Sequence, residues 1–127
     1  MEDRDIRRPM RFEKLEAWKM ARESTAFVYA LSRRDAWSRD FGLCDRLRRA
    51  PVSTLNNAAE GWESLHPAEE LPFYNLSRRS RGEVRAMSCV PRENEYLSID
   101  EHRDLHDRSV RCGRLVAGLL RAASERK

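Results

Sequence analysis

Glycine and proline are scarce in this 127-residue sequence, which contains five of each. All-β domains with many turns, and Gly- or Pro-rich disordered chains, need more of these residues. Hydrophobic residues make up 40% of the chain, which is too many for a wholly disordered protein. Because domains most often run about 100–150 residues, the length predicts one domain with a single core.

Long apolar runs and paired cysteines are also missing. The longest stretch without a formal charge is residues 50–59, whereas a membrane span needs about 20 mostly apolar residues, so we expect no membrane contact. The N-terminus is charged and lacks the apolar region of a signal peptide. Cys44, Cys89 and Cys112 are far apart and form no CxxC pair, which predicts reduced, buried thiols in a cytoplasmic protein.

Lysine is nearly absent from the basic residues, which are 22 arginines and Lys14, Lys19 and Lys127. The formal net charge is +4. Arginine is the better bidentate ligand for phosphate, so its excess is typical of a phosphate-binding surface. A GC-rich genome would produce the same bias without any function, and the sequence leaves both explanations open.

Apolar residues recur every three or four positions in four segments, at about residues 12–31, 41–62, 67–90 and 99–123. This is the helical period, and no segment has the pattern of a strand. Because short links make neighbouring helices antiparallel, the sequence predicts an all-α, antiparallel up-down four-helix bundle. We assign residues 10–127 to this bundle domain and residues 1–9 to a flexible, polar N-terminal extension.

Local signals add detail to these helices. Pro51 lies inside the second segment and predicts a kink there or a break near Arg48. Pro91 is expected to end the third helix, and Ser98 with Glu101 has the spacing of a capping box that opens the fourth. The third helix is predicted to face the core with Phe73, Leu76, Ser80, Val84 and Met87.

No motif in the sequence supports catalysis. It has no Walker, dinucleotide-binding or GxSxG motif, and the HRDL string at residues 102–105 lacks the rest of the kinase signature. His102 and His106 share a helical face and could ligate a metal, but no third ligand accompanies them. A solvated polar face is the preferred interpretation, so we expect no enzyme, no metal and no cofactor.

Arginines cluster on the bodies of the last three helices, whereas acidic residues concentrate near turns, at residues 60–70 and 93–101. Basic helix ridges can follow phosphates in a sequence-independent, salt-sensitive way, and an ordinary solvated surface is the alternative. The residues predicted to contact nucleic acid are Arg46, Arg48, Arg49, Arg78, Arg79, Arg81, Arg85, Arg108, Arg111 and Arg114.

A polar stripe follows the second helix beside its apolar one. Its members are spaced by four, four and three positions: Arg49, Ser53, Asn57 and Glu60. Little other charge lies nearby, which predicts partial burial, and buried polar groups need partners. Ser53, Asn57 and Glu60 are therefore predicted to form a hydrogen-bond network or an interface with other helices or subunits.

Three blocks of residues, at 12–19 (FEKLEAWK), 48–53 (RRAPVS) and 57–61 (NAAEG), carry a resemblance to a known family. Their set and order resemble the bacterial four-helix bundle proteins. These are also called 23S rRNA intervening-sequence proteins, because some are encoded by inserts within large-subunit ribosomal RNA genes. The resemblance extends from Met10 to about Leu120.

This resemblance implies a four-helix bundle that often assembles as a ring-like homopentamer with a basic surface and no enzymatic activity. The related accessory variability determinant proteins of diversity-generating retroelements share the pentameric bundle, and they bind nucleic acid and a reverse transcriptase. Arg46 and Arg79 stand where the family usually has glutamine and a small residue. Pro51 replaces a proline that usually stands at the position of Leu55.

Two hypotheses for function follow. The first is a non-enzymatic homo-oligomer, expected to be a pentamer, whose basic surface binds RNA or DNA without strong sequence specificity, as an accessory factor to a reverse transcriptase. The second is a protein–protein interaction scaffold with no nucleic-acid role. In that scaffold, Trp37 or Trp62 would meet the partner.

Overall fold

The computed structural model describes residues 10–126, which contain helices and turns and no strand. The all-α prediction is confirmed for this part of the chain, and the predicted extension of residues 1–9 lies outside it. A short 3-10 turn at Phe12–Lys14 comes first. The α-helices are α1 (Glu16–Ser32), α2 (Asp35–Ser38), α3 (Phe41–Glu63), α4 (Pro67–Met87), α5 (Cys89–Glu93) and α6 (Ile99–Arg126).

The four predicted helical segments correspond to α1, α3, α4 and α6, with three local differences. The polar segment after α1 contains the short helix α2. The break expected near Arg48 is wrong, because α3 continues through Pro51, whose ring is fully buried. Pro91 does not end the third helix but lies in the first turn of α5, where a missing N–H costs no hydrogen bond.

The start of α6 is held by the predicted capping box. The Glu101 N–H donates to Ser98 Oγ at 3.1 Å, and the Ser98 N–H donates to Glu101 Oε1 at 2.9 Å. The Arg34 guanidinium, which follows α1, donates to the same carboxylate. Hydrogen bonds from Arg34, and then from the Ser98 backbone, lower the pKa of Glu101 to about 2. The carboxylate therefore stays ionised and ties the start of α6 to the end of α1.

Neighbouring long helices run in opposite directions, because early residues of one helix meet late residues of the other. The contacts are Ser53–Ser80 and Thr54–Ser77 between α3 and α4, Arg81–Ser109 and Glu70–Arg126 between α4 and α6, and Phe27–Arg108 and Ala17–Cys112 between α1 and α6. Helix α1 also packs against α3. The result is a helical bundle in which each long helix contacts two others.

The buried side chains form two clusters. The first surrounds Trp37, which is 0% exposed and stacks on Tyr96 with ring centroids 6.1 Å apart. The second surrounds Tyr74, which is also 0% exposed, and includes Val116. The expectation that Trp37 could meet a partner protein is therefore wrong. Helix α2 turns this side chain inward, where a large aromatic ring removes the most apolar area from water.

Helix α4 buries only part of the predicted face, since Val84 is buried and Met87 packs against the core. Its buried residues are Glu70, Tyr74, Ser77 and Val84, whereas the expected core residue Leu76 is 44% exposed. The buried polar groups are satisfied: Ser77 Oγ donates to the Thr54 carbonyl at 2.7 Å, and the Tyr74 hydroxyl donates to Glu70 Oε1 at 2.9 Å. Polar side chains can be buried when they are hydrogen-bonded to each other, even where the sequence pattern predicts apolar residues in the core.

The cysteine prediction is confirmed for two of the three thiols. Cys44 and Cys112 are buried, and neither forms a disulfide. Burial raises the pKa of Cys112 to about 11, although the nearby Arg81 opposes this effect. Cys89 is exposed, so its predicted burial is wrong. It begins α5 at the surface rather than on a core-facing helix stripe.

Gly61 allows a close approach between α3 and α4, because a Cβ at this position would lie 2.6 Å from Cδ1 of the buried Tyr74 ring. We expect Gly61→Ala to lower the free energy of unfolding by about 1–3 kcal/mol, since the ring has no free space to move into. A methyl group at Gly118, inside α6, would have nothing within 4 Å, and Gly118→Ala should raise the same quantity by about 0.8–1 kcal/mol.

Urea denaturation of both variants measures this difference. Each change adds one methyl to a helix interior, so the two variants share the gain in helix propensity and differ only in the local contact. A Gly61→Ala protein at least as stable as Gly118→Ala would contradict the close packing of Tyr74 on α3.

Candidate nucleic-acid interface

The arginines of α4 are the least neutralised group among the predicted contacts. Arg78, Arg79 and Arg85 are exposed, and no carboxylate within the described residues lies in ion-pair distance of them. Arg79, where the resemblance implies a small residue, is exposed to solvent rather than packed between helices. We call these three residues the α4 ridge.

Arg81 belongs to the same helix but has a different environment. Its guanidinium is half-buried and lies over Gly113 of α6. Desolvation by this burial lowers the pKa of Arg81, and the neighbouring Arg85 and Arg78 act in the same direction. Its main contribution is therefore to the α4–α6 packing, while it adds positive charge beneath the ridge.

The arginines of α3 line an open cleft of about 550 Å³ between the end of α1 and the middle of α3. Arg48 donates from Nε to Ser32 Oγ at 2.8 Å and stacks on Tyr29, with its Cζ 4.8 Å from the ring centroid. Arg49 pairs with Asp45 at 3.2 Å, but both side chains are mostly exposed, and such pairs contribute little. We call this hollow the Tyr29 cleft.

The arginines of α6 lie on another side of the bundle, against α1. Arg108 donates to Asp104 at 2.9 Å, lies 3.7 Å from Glu23 and covers the Phe27 ring. Its charge is therefore largely neutralised within the protein. Arg111 and Arg114 are exposed but share a shallow hollow with carboxylates of α1, including Glu23. This side of the surface is of mixed charge.

The structure therefore separates the ten predicted arginines into three groups. The α3 arginines line the cleft, whose wall also includes Glu83 of α4, whereas the exposed α4 arginines do not line it. The α6 arginines border α1 instead. Sequence clusters alone did not show this separation, because it depends on which helices are neighbours.

The predicted polar network forms in part. Asn57 Nδ2 donates to the Ser53 carbonyl at 2.9 Å and to Ser53 Oγ at 3.1 Å, and Ser53 Oγ lies 2.8 Å from Ser80 Oγ. Ser80 was predicted as a core residue and is half-buried here. Glu60 is exposed and stands outside this network. The network joins α3 to α4, which matches the structural interpretation of the stripe.

Two side chains of the cleft were missed by sequence reasoning. Tyr29 is next to Val28 of the apolar stripe of α1, and Asn56 is next to Asn57 of the polar stripe of α3. Neither has a local signal of function. The stacked Arg48 could be found only once α1 and α3 were placed side by side.

Residues 10–126 contain neither a metal site nor a membrane-spanning helix. His102 and His106 are both half-buried, and no group of three or more His, Cys, Asp or Glu side chains in this range is arranged to hold a metal ion. Within the same residues, no helix combines the length and apolar character needed to cross a membrane.

Comparison with known families gives a match that covers most of this structure. A family described as 23S rRNA-intervening sequence protein matches residues 13–118. The chain belongs to this family. The match runs from the 3-10 turn to the last third of α6, so it includes the Tyr29 cleft and the α4 ridge. Among curated proteins, no match is found.

For a 23S rRNA-intervening sequence protein, the name describes where a gene is found rather than an activity. The resemblance seen in the sequence is confirmed at the level of the family. The matched range ends before Arg121 and Arg126, so the last turns of α6 lie outside it. Any role in binding must be argued from the surface itself.

Proposed function

We propose that this intervening-sequence protein is a non-enzymatic bundle that binds RNA or DNA through the Tyr29 cleft and the α4 ridge, without reading sequence. The single observation that carries the proposal is the unneutralised charge of Arg78, Arg79 and Arg85, and the arginines of the cleft add to it. Phosphate backbones attract such surfaces regardless of base sequence. The absence of a sequence-reading motif supports non-specific binding.

The same proposal includes the assembly. The antiparallel contacts between long helices support an up-down four-helix bundle, and family membership supports a homo-oligomeric ring, with a pentamer as the expected form. The exposed Leu76 of α4 offers apolar area to a neighbouring copy. Five subunits of formal charge +4 would carry about +20, a strong field for a polyanion.

A role as accessory factor to a reverse transcriptase, which rests on the resemblance to retroelement accessory proteins, completes the proposal. A cytoplasmic location is also proposed, and it rests on the free thiols of the three cysteines. A protein–protein scaffold without nucleic acid is the second candidate. It is favoured by large exposed apolar side chains, since Phe41 is 79% exposed, Ile99 58% and Leu65 57%.

Replacing Arg78, Arg79 and Arg85 together with alanine should weaken binding to nucleic acid about tenfold or more at moderate salt. Three lost phosphate contacts should also reduce the slope of log K against log salt by about 2–3. Fluorescence anisotropy of a labelled oligonucleotide, titrated over a series of salt concentrations, measures both quantities.

The matched control replaces Arg33, Arg103 and Arg121, which are exposed, do not line the cleft and do not belong to the ridge. Both triple variants lose the same charge, so a non-specific effect of net charge would weaken them equally. Binding that is absent in the unmodified protein at low salt, or that does not depend on salt, would contradict the proposed function. Capture of a protein partner that survives nuclease treatment would favour the scaffold instead.

A further inference from the structure

The Tyr29 cleft has features that a simple phosphate-binding ridge does not need. It is a concave site of about 550 Å³, within the range of small-molecule pockets. One aromatic side chain, three arginines, an amide and a carboxylate line it: Tyr29, Arg46, Arg48, Arg49, Asn56 and Glu83. Binding of a duplex backbone does not require a concave site, so we consider which ligand the cleft itself would fit.

Arg48 and Tyr29 form a preorganised stack at the cleft wall. The Arg48 Cζ lies 4.8 Å from the centroid of the Tyr29 ring, and its Nε is occupied by Ser32 Oγ at 2.8 Å. These two contacts hold the guanidinium plane in place, so its ordering cost is already met before a ligand arrives. Aromatic rings and guanidinium planes are the surfaces on which unpaired bases stack.

The neighbouring arginines supply the charge for a phosphate. Arg46 is exposed and has no carboxylate partner within the described residues, and Arg49 has only its solvated pair with Asp45 there. Both line the same cleft as Arg48. A planar stacking surface with guanidinium groups on either side is complementary to one nucleotide, which has a flat base and an anionic phosphate.

The remaining polar groups face the same space. Asn56 is exposed and its amide is uncommitted among the described residues, so it can pair with the edge of a base. Glu83 is also exposed in the cleft wall. Its carboxylate repels a phosphate but can accept a hydrogen bond from a base amino group.

We propose that the Tyr29 cleft binds one unpaired nucleotide, with its base stacked on the Arg48–Tyr29 platform and its phosphate held by Arg46 and Arg49. The inference rests on the proposed function and deepens it, because it gives the protein a preference for single strands over duplex. A stacked base must leave its helix, so a paired base would first have to be unstacked at a cost in free energy.

The test compares a short single-stranded oligonucleotide with an abasic strand of the same length, which keeps every phosphate and lacks the bases. Anisotropy titrations should show that the intact strand binds about tenfold tighter than the abasic one, the contribution of roughly one stacked base. Competition with a nucleoside 5′-monophosphate shows whether a free nucleotide also fills the cleft or only one within a strand.

Tyr29→Leu should bring the ratio between intact and abasic strands close to one, whereas Tyr29→Phe, which keeps the ring, should preserve it. Glu83→Gln should tighten binding of both strands about threefold, because it removes a negative charge that repels the phosphates. The control Glu125→Gln, at an exposed position of α6, should leave binding unchanged. Circular dichroism melts of each variant show that the fold is retained.

Equal binding of intact and abasic strands by the unmodified protein would overturn the inference and leave the proposed function standing. Failure to bind either strand would overturn the proposed function itself. A ratio that survives in Tyr29→Leu would place the stacked base outside the cleft and would also overturn the inference.

Discussion

Arg126→Ala is expected to lower the free energy of unfolding by about 3–5 kcal/mol, a large effect for a residue next to the C-terminus. The Arg126 guanidinium donates to both oxygens of Glu70, at 2.9 and 3.0 Å, and the Glu70 side chain is 0% exposed. The substitution removes this cation from a buried carboxylate, which keeps the hydrogen bond from the Tyr74 hydroxyl. Urea denaturation at neutral pH measures the loss.

Arg121→Ala is the matched control, because it removes the same side chain from an exposed position on the same helix and should change stability by at most about 0.5 kcal/mol. A double variant, Glu70→Gln with Arg126→Gln, removes both charges of the pair and should recover part of the loss. If Arg126→Ala cost no more than Arg121→Ala, the buried pair would not hold the ends of α4 and α6 together in solution.

Trp37→Ala should lower the free energy of unfolding by about 3–5 kcal/mol, because it removes a fully buried ring from the larger core cluster. The cavity would lie under Tyr96, which stacks on Trp37, and beside Cys44, whose thiol donates to the Trp37 carbonyl at 3.1 Å. Thermal melts followed by circular dichroism measure the effect.

Trp62→Ala offers the comparison, since Trp62 is half-exposed and its Nε1 donates to the Met10 carbonyl at 2.9 Å. Loss of this hydrogen bond and of partial burial should cost about 1–2 kcal/mol. Equal losses for the two tryptophans would contradict the buried position of Trp37. The pair of variants also bears on the scaffold hypothesis, in which Trp62 remains the candidate tryptophan contact.

The extent to which the fold follows from the sequence can be seen in α6 and α4. The capping box of Ser98 and Glu101 is a local arrangement of neighbouring residues, so its spacing in the chain is enough to predict it. The buried face of α4 is not local. Glu70 can be buried because Arg126, which is far away in the sequence, pairs with it. The periodicity of apolar residues contains no information about this pair, so it predicts Leu76 as a core residue.

The candidate site shows the same division. Clusters of arginines on predicted helices are visible in the sequence, and their exposure on α4 agrees with that pattern. The neutralisation of Arg108 by Asp104 and Glu23 is partly long-range, and the stacking of Arg48 on Tyr29 joins two helices. Neither could be assigned before the neighbours of each helix were known.

The sequence by itself determined that this intervening-sequence protein is all-α, which residues form its long helices and which family it belongs to. These properties depend on periodicity, capping and short motifs, all of which act over a few residues. Only the tertiary structure decided which arginines stay exposed and which are neutralised, that Trp37 is core, and that Tyr29 and Arg48 face one hollow. Charge pairing and burial depend on contacts between distant residues, and no local pattern contains them.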